Sequence, residues 1–138
     1  MIDHVSIGVS DYPAARRFYD TVLAALGLKA LMAFPEHGVA GYGAPGAPAP
    51  FFWIGDANHP EIQGKGRPLG SGPGVHICFR APSRAAVDSF YDTALRMGAD
   101  DNGYPGLRPH YHANYYGAFV VDPDGWRLEA VCHSPETE

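Results

Sequence analysis

The tetrapeptide Phe-Tyr-Asp-Thr occupies residues 18–21 and recurs at residues 90–93, and His4 and His76 precede the two copies by equal distances. Tetrapeptide and histidine are both displaced by 72 positions in a chain of 138. A duplication of that length leaves room for two copies of one structural unit, and each copy must contain the element that carries FYDT. The chain has no low-complexity tract that would produce the echo by itself.

The flanking periodicities define the unit. In residues 2–9, Val5, Ile7 and Val9 alternate with His4, Ser6 and Gly8, which is strand periodicity. Ser10 or Asp11 can cap a helix, Pro13 suits its first turn, and Ala15, Phe18, Tyr19, Val22, Leu23 and Leu26 recur at 3/4 spacing until Gly27. Strands are expected at 29–35, 38–44 and 50–55, separated by turn-forming proline and glycine. The second half repeats the order. GVHICFRA reads as a strand, Ser83 as a cap, and Val87, Phe90, Tyr91, Ala94 and Leu95 as one helical stripe before Gly98. Residues 107–122 give one or two polar-rich strands, and RLEAVCH gives the last. Each half reads βαβββ, and Phe18, Tyr19, Phe90 and Tyr91 are core residues on equivalent helices. The expected fold class is therefore α+β. It is organised as a single domain over 1–138, with module 1 at about 1–56, a linker at 57–73 and module 2 at about 74–133.

Composition excludes several functions. A chain that is 46% hydrophobic and 18% charged suits one compact domain. The net charge of −5, with scattered basic residues, offers no surface for a phosphate backbone, so no nucleic acid partner is expected. The N-terminal MIDHVSIGVSD lacks a basic segment followed by an apolar run, and nothing approaches the roughly 20 apolar residues that span a bilayer. The expectation is a cytoplasmic protein without a membrane partner. Cys78 and Cys132 form no CxxC pair and read as buried thiols. GKGRPLG lacks the spacing of a phosphate loop.

Strand alternation gives the histidines a direction. If Val5, Ile7, Val9 and Val75, Ile77, Phe79 lie beneath the helices, His4 and His76 project to the opposite face. In the last strand Leu128, Ala130 and Cys132 form the apolar set, so Glu129 shares the histidines' face. Taken singly, a strand histidine reads as a polar surface residue. Two at equivalent repeat positions, with a carboxylate in matching phase, read as a divalent-metal site.

The duplicated βαβββ, the histidine opening each half and the glutamate in a closing DPDGxxxE segment resemble the vicinal oxygen chelate superfamily. That superfamily includes glyoxalase I, bleomycin-resistance proteins, fosfomycin-resistance enzymes and extradiol dioxygenases. The likeness covers about Ile2 to His133. It implies paired modules forming a cupped mixed sheet around a metal, with His4, His76 and Glu129 as ligands. The likeness departs at Trp53, which aligns with Glu129 and cannot bind a metal. A two-His, one-carboxylate set remains, leaving coordination positions for a small-molecule substrate with neighbouring oxygens. Fe(II) or Mn(II) fits this set best, with Zn or Ni as further candidates. The implied activities are those of a dioxygenase, a lyase or isomerase, or a thiol transferase. The alternative is a metal-free binding protein of the bleomycin-resistance type. A homodimer is expected for so short a sheet.

Residues 107–119, LRPHYHANYYGAF, crowd polar and aromatic groups together. Alternation puts His110, His112, Asn114 and Tyr116 on one face, and that set is expected to line the cleft. His112 would act as general acid or base, Tyr116 as a hydrogen-bond donor to a bound oxygen, and Asn114 as an orienting group. Trp53 adds aromatic surface for substrate, and Arg108 can pair with a carboxylate or phosphate. The competing reading of this stretch is a solvated polar strand and loop.

Overall fold

A computed structural model describes residues 1–61, 64, 66–70 and 73–136. The expected linker at 57–73 therefore lies partly outside the described residues, as does Lys65 of GKGRPLG. The chain divides into two compact units, Met1–Gly70 and Ser71–Glu138.

In the first unit, β1 (Val5–Val9) leads to α1 (Tyr12–Ala24), followed by β2 (Lys29–Phe34), β3 (Val39–Gly43) and β4 (Phe52–Asp56). The sheet order is β1-β4-β3-β2; β1 and β4 run parallel, and the other pairs are antiparallel. The Asp11 side chain accepts from the Ala14 amide at 3.0 Å, satisfying one of the unpaired donors at the start of α1. Gly27, at φ 79°, ends the helical stretch in the left-handed conformation that side chains disfavour. Phe18, Tyr19, Val22 and Leu23 of α1 are buried against the sheet with Tyr42, Phe52 and Ile54. Tyr42 keeps its hydroxyl in this core by donating to Asp20 of α1 at 2.7 Å.

The second unit repeats the plan with β5 (His76–Arg80), α2 (Arg84–Arg96), β6 (Asp100–Leu107), β7 (Tyr116–Val121) and β8 (Arg127–Cys132). The order β5-β8-β7-β6, with β5 parallel to β8, matches the first sheet strand for strand. The α2 helix begins and ends 72 residues after α1, so FYDT occupies the same helical positions in both. Ser83 caps α2 through the Ala86 amide at 3.0 Å, and Val87, Phe90 and Ala94 are fully buried with Val120, Leu128 and Ala130. The architecture is the expected α+β duplication of βαβββ modules.

Three local expectations are corrected. Val75 is 53% exposed because β5 starts one residue later, so the apolar stripe beneath α2 begins at Ile77 and Phe79. The strand β6 lies at 100–107, ahead of the stretch 107–122 in which one or two strands were expected. Its pairing with β7 breaks register between Asp101 and Gly103 and between Gly103 and Gly106, and such irregular strands hold Gly and Pro. Residues 108–115, in which strand alternation was expected, are turns.

Candidate functional site

The helix-free face of the second sheet holds a buried carboxylate among polar and aromatic side chains. On β8, Leu128, Ala130 and Cys132 pack toward α2, which leaves Arg127, Glu129 and Val131 on the other face. Register places Cys78 of β5 and Phe119 of β7 on either side of Glu129. Glu129 is only 2% exposed. A carboxylate removed from water to that degree needs compensating partners. His76 Nε2 lies 3.1 Å from Glu129 Oε1, and the Tyr115 hydroxyl donates to Oε2. Among the described residues, no lysine or arginine pairs with this carboxylate.

Gly117 makes room for that arrangement. A Cβ there would stand 3.2 Å from the Tyr115 ring and 3.4 Å from Glu129 Oε2. Tyr115 is also ringed by Tyr111, His112 and His133, with centroids 4.8, 5.5 and 5.4 Å away. Burial, then the hydrogen bond to Glu129, raises the Tyr115 hydroxyl well above the ordinary tyrosine range, so it remains a donor. Cys78 is exposed as a residue, yet burial around its sulfur and then the negative Glu129 push its thiol up to about 12. It therefore stays protonated at neutral pH.

The other expected residues occupy different surroundings. Tyr116, expected beside the metal ligands, instead donates to Asp88 of α2 at 2.6 Å, on the helix-covered side. The turns at 108–115 break the alternation from which its face was read, and Tyr115 takes the role of donor to the carboxylate. His112 and Asn114 lie in those turns. His112 Nδ1 accepts from the Asn114 amide at 3.1 Å, so Nε2 carries the proton and faces His133 Nδ1 at 2.9 Å. His112 thus touches the Tyr115 ring and is not hydrogen-bonded to Glu129. Arg108 is held by the carbonyls of Gly106 and Tyr104, at 2.8 and 2.6 Å, with its guanidinium 5.4 Å from the centre of the Phe119 ring. Phe119 stands 6.4 Å from the His76 ring, so Arg108 borders the same face.

In the first unit, Trp53 is half-buried on the face of β4 opposite Phe52 and Ile54. It pairs with Ser6 as Glu129 pairs with Cys78, and Ser6 and Cys78 are 72 positions apart, which makes Trp53 the register equivalent of Glu129. Gly41 accommodates the indole, since a Cβ there would lie 2.8 Å from it. His4 sits just before β1, and its Nδ1 lies 2.5 Å from Asp3 Oδ1.

The pair His76 and Glu129 suits a divalent ion in donor chemistry and spacing. Two ligands bonded at about 2.1 Å and subtending a right angle lie about 3 Å apart, close to the separation of Nε2 and Oε1. Among the described residues, no group of three His, Cys, Asp or Glu side chains gathers to complete such a site.

Comparison with known proteins places this fold in one class. Residues 1–130 match the family model of the Glyoxalase/Bleomycin resistance protein/Dioxygenase superfamily, and the chain belongs to that superfamily. Among solved structures, a glyoxalase/bleomycin resistance protein from Albidiferax ferrireducens is similar at 28% identity and TM-score 0.76, covering 94% of this chain and 97% of that one. A glyoxalase/bleomycin resistance protein/dioxygenase family enzyme from Burkholderia phytofirmans is similar at 20% identity and TM-score 0.71, with 96% and 98% covered. A lactoylglutathione lyase from Agrobacterium tumefaciens shares the fold at 18% identity and TM-score 0.60, with 96% and 92% covered. No curated protein matches significantly. No helix among the described residues is long and apolar enough to cross a membrane.

Proposed function

We propose that the protein is a divalent-metal-dependent enzyme of the vicinal oxygen chelate type, in which His76 and Glu129 hold the ion and a small molecule with neighbouring oxygens binds against it. The observation that supports this most is the buried Glu129 carboxylate, whose Oε1 faces an imidazole nitrogen at 3.1 Å while Oε2 is held by Tyr115. His4, the third donor expected from the repeat, is half-exposed beside Asp3 in the first unit. Fe(II) or Mn(II) suits this donor set. The ion would act as a Lewis acid toward the two substrate oxygens.

The chain's own residues have separable tasks. Glu129 offers one oxygen because Tyr115 occupies the other, which fixes the carboxylate plane. Cys78, protonated beside it, adds no negative charge. Phe119, backed by Arg108, gives a flat apolar wall next to His76.

A metal-free binding role is the second reading. It draws on Trp53 at the position equivalent to Glu129 and on the absence of a three-residue ligand group among the described residues. Mn(II) titration of protein purified without chelator separates the two readings. Metal dependence predicts one ion per chain, lost in Glu129→Gln and His76→Ala. Wild-type protein that takes up no ion contradicts it.

A further inference from the structure

The first residue of β8 is an arginine whose side chain has no partner among the described residues. Arg127 stands in register with His76 of β5 and Val121 of β7, and it precedes Glu129 by two residues on the same sheet face. Its Nε is shielded from water and meets no acceptor. Among the described residues its guanidinium forms no hydrogen bond or ion pair. Some other arginines are engaged: Arg16 with Asp20, Arg96 with Thr93, Arg108 with two carbonyls, and Arg84, whose Nε is also orphaned, with Glu136 and the Tyr116 ring. Glu129 is the nearest acid along the strand, but its two oxygens already serve His76 and Tyr115.

A guanidinium carries five donors in a planar fork that matches a carboxylate, and leaving a buried donor unmatched is unfavourable. Residues two apart on a strand are separated by about 6.6 Å, so a group bound at Arg127 lies roughly one small ring away from the His76–Glu129 pair. We infer that Arg127 is a specificity-determining residue that receives a carboxylate on the small molecule bound at His76 and Glu129. This rests on the proposed function for the position of the ligand's other end. It adds a substrate class: compact molecules with neighbouring oxygens at one end and a carboxylate at the other.

The test compares 3,4-dihydroxybenzoate with catechol, which share the paired oxygens and differ in the carboxylate. Calorimetric titration of wild type, Arg127→Met and Arg127→Lys is run with and without Mn(II), with circular dichroism to establish folding. Wild type should bind the carboxylate compound at least about ten-fold more tightly. Arg127→Met should lose that preference with catechol affinity and Mn(II) uptake unchanged, and Arg127→Lys should keep part of it. Equal binding of the two compounds by wild type, or full preference in Arg127→Met, overturns the inference. If Mn(II) does not bind at all, the metal reading fails, and the Mn(II)-free titrations decide for Arg127, with no preference there counting against it.

Discussion

Replacing Tyr115 by Phe removes one hydroxyl and leaves the ring contacts with Tyr111, His112 and His133 in place. That hydroxyl serves Oε2 of a carboxylate that is 2% exposed, so water cannot readily replace it. Hydrogen bonds to charged groups contribute about 1.5–3 kcal/mol, and the half-buried position of Tyr115 favours the lower end. With roughly 2.1 cal/mol/K of unfolding entropy per residue, 138 residues give about 0.3 kcal/mol/K, so the loss corresponds to a fall in Tm of about 5 °C. The same substitution frees the Glu129 plane to rotate. Removal of groups that orient a metal ligand weakens binding by about 10–100-fold, and Mn(II) affinity should fall within that range. Thermal unfolding at neutral pH by circular dichroism and Mn(II) titration measure the two effects. A Tm within about 1 °C of wild type together with unchanged Mn(II) affinity would refute the assignment of Tyr115 to Glu129.

Gly117→Ala tests the same contact from the strand beneath it. Its new Cβ, 3.2 Å from the Tyr115 ring and 3.4 Å from Oε2, should displace the tyrosine, reduce Mn(II) affinity and cost on the order of 1 kcal/mol in chemical unfolding; wild-type values for both would show that the ring yields freely. Tyr116 predicts an alkaline dependence. Burial, together with its hydrogen bond to Asp88, raises its hydroxyl to about 12 in the folded chain, from an ordinary value of about 10. Its contribution is therefore complete below about pH 10 and disappears as pH rises through about 12, so stability should decline across that window and decline less steeply in Tyr116→Phe. Equal slopes for the two proteins would contradict the role given to Asp88.

The duplication was legible because it is written twice. FYDT fixes the helices to the residue, and the alternation of Val5, Ile7 and Val9 and of Leu128, Ala130 and Cys132 assigns faces wherever the backbone is regular. Glu129 and its equivalence to Trp53 come from that regularity, and the strand register of both sheets agrees. The sequence pattern is lost where backbone regularity stops. β6 pairs through glycines and register shifts, so Asp100 to Leu107 carry no period of two. The turns before β7 change which tyrosine faces Glu129, and a one-residue phase error exchanges Tyr115 for Tyr116. Gly117 was the available signal, since a glycine opposite a buried carboxylate leaves space that a neighbouring ring can fill. The unsatisfied Nε of Arg127 depends on three-dimensional packing and has no counterpart in the sequence pattern.

The most direct test of the central claim is the anomalous difference map of a crystal soaked in Mn(II). The expected result is one peak at about 2.0–2.2 Å from both His76 Nε2 and Glu129 Oε1, with Tyr115 still bonded to Oε2. A map with no peak there, in which His76 and Glu129 remain hydrogen-bonded to each other, would contradict it.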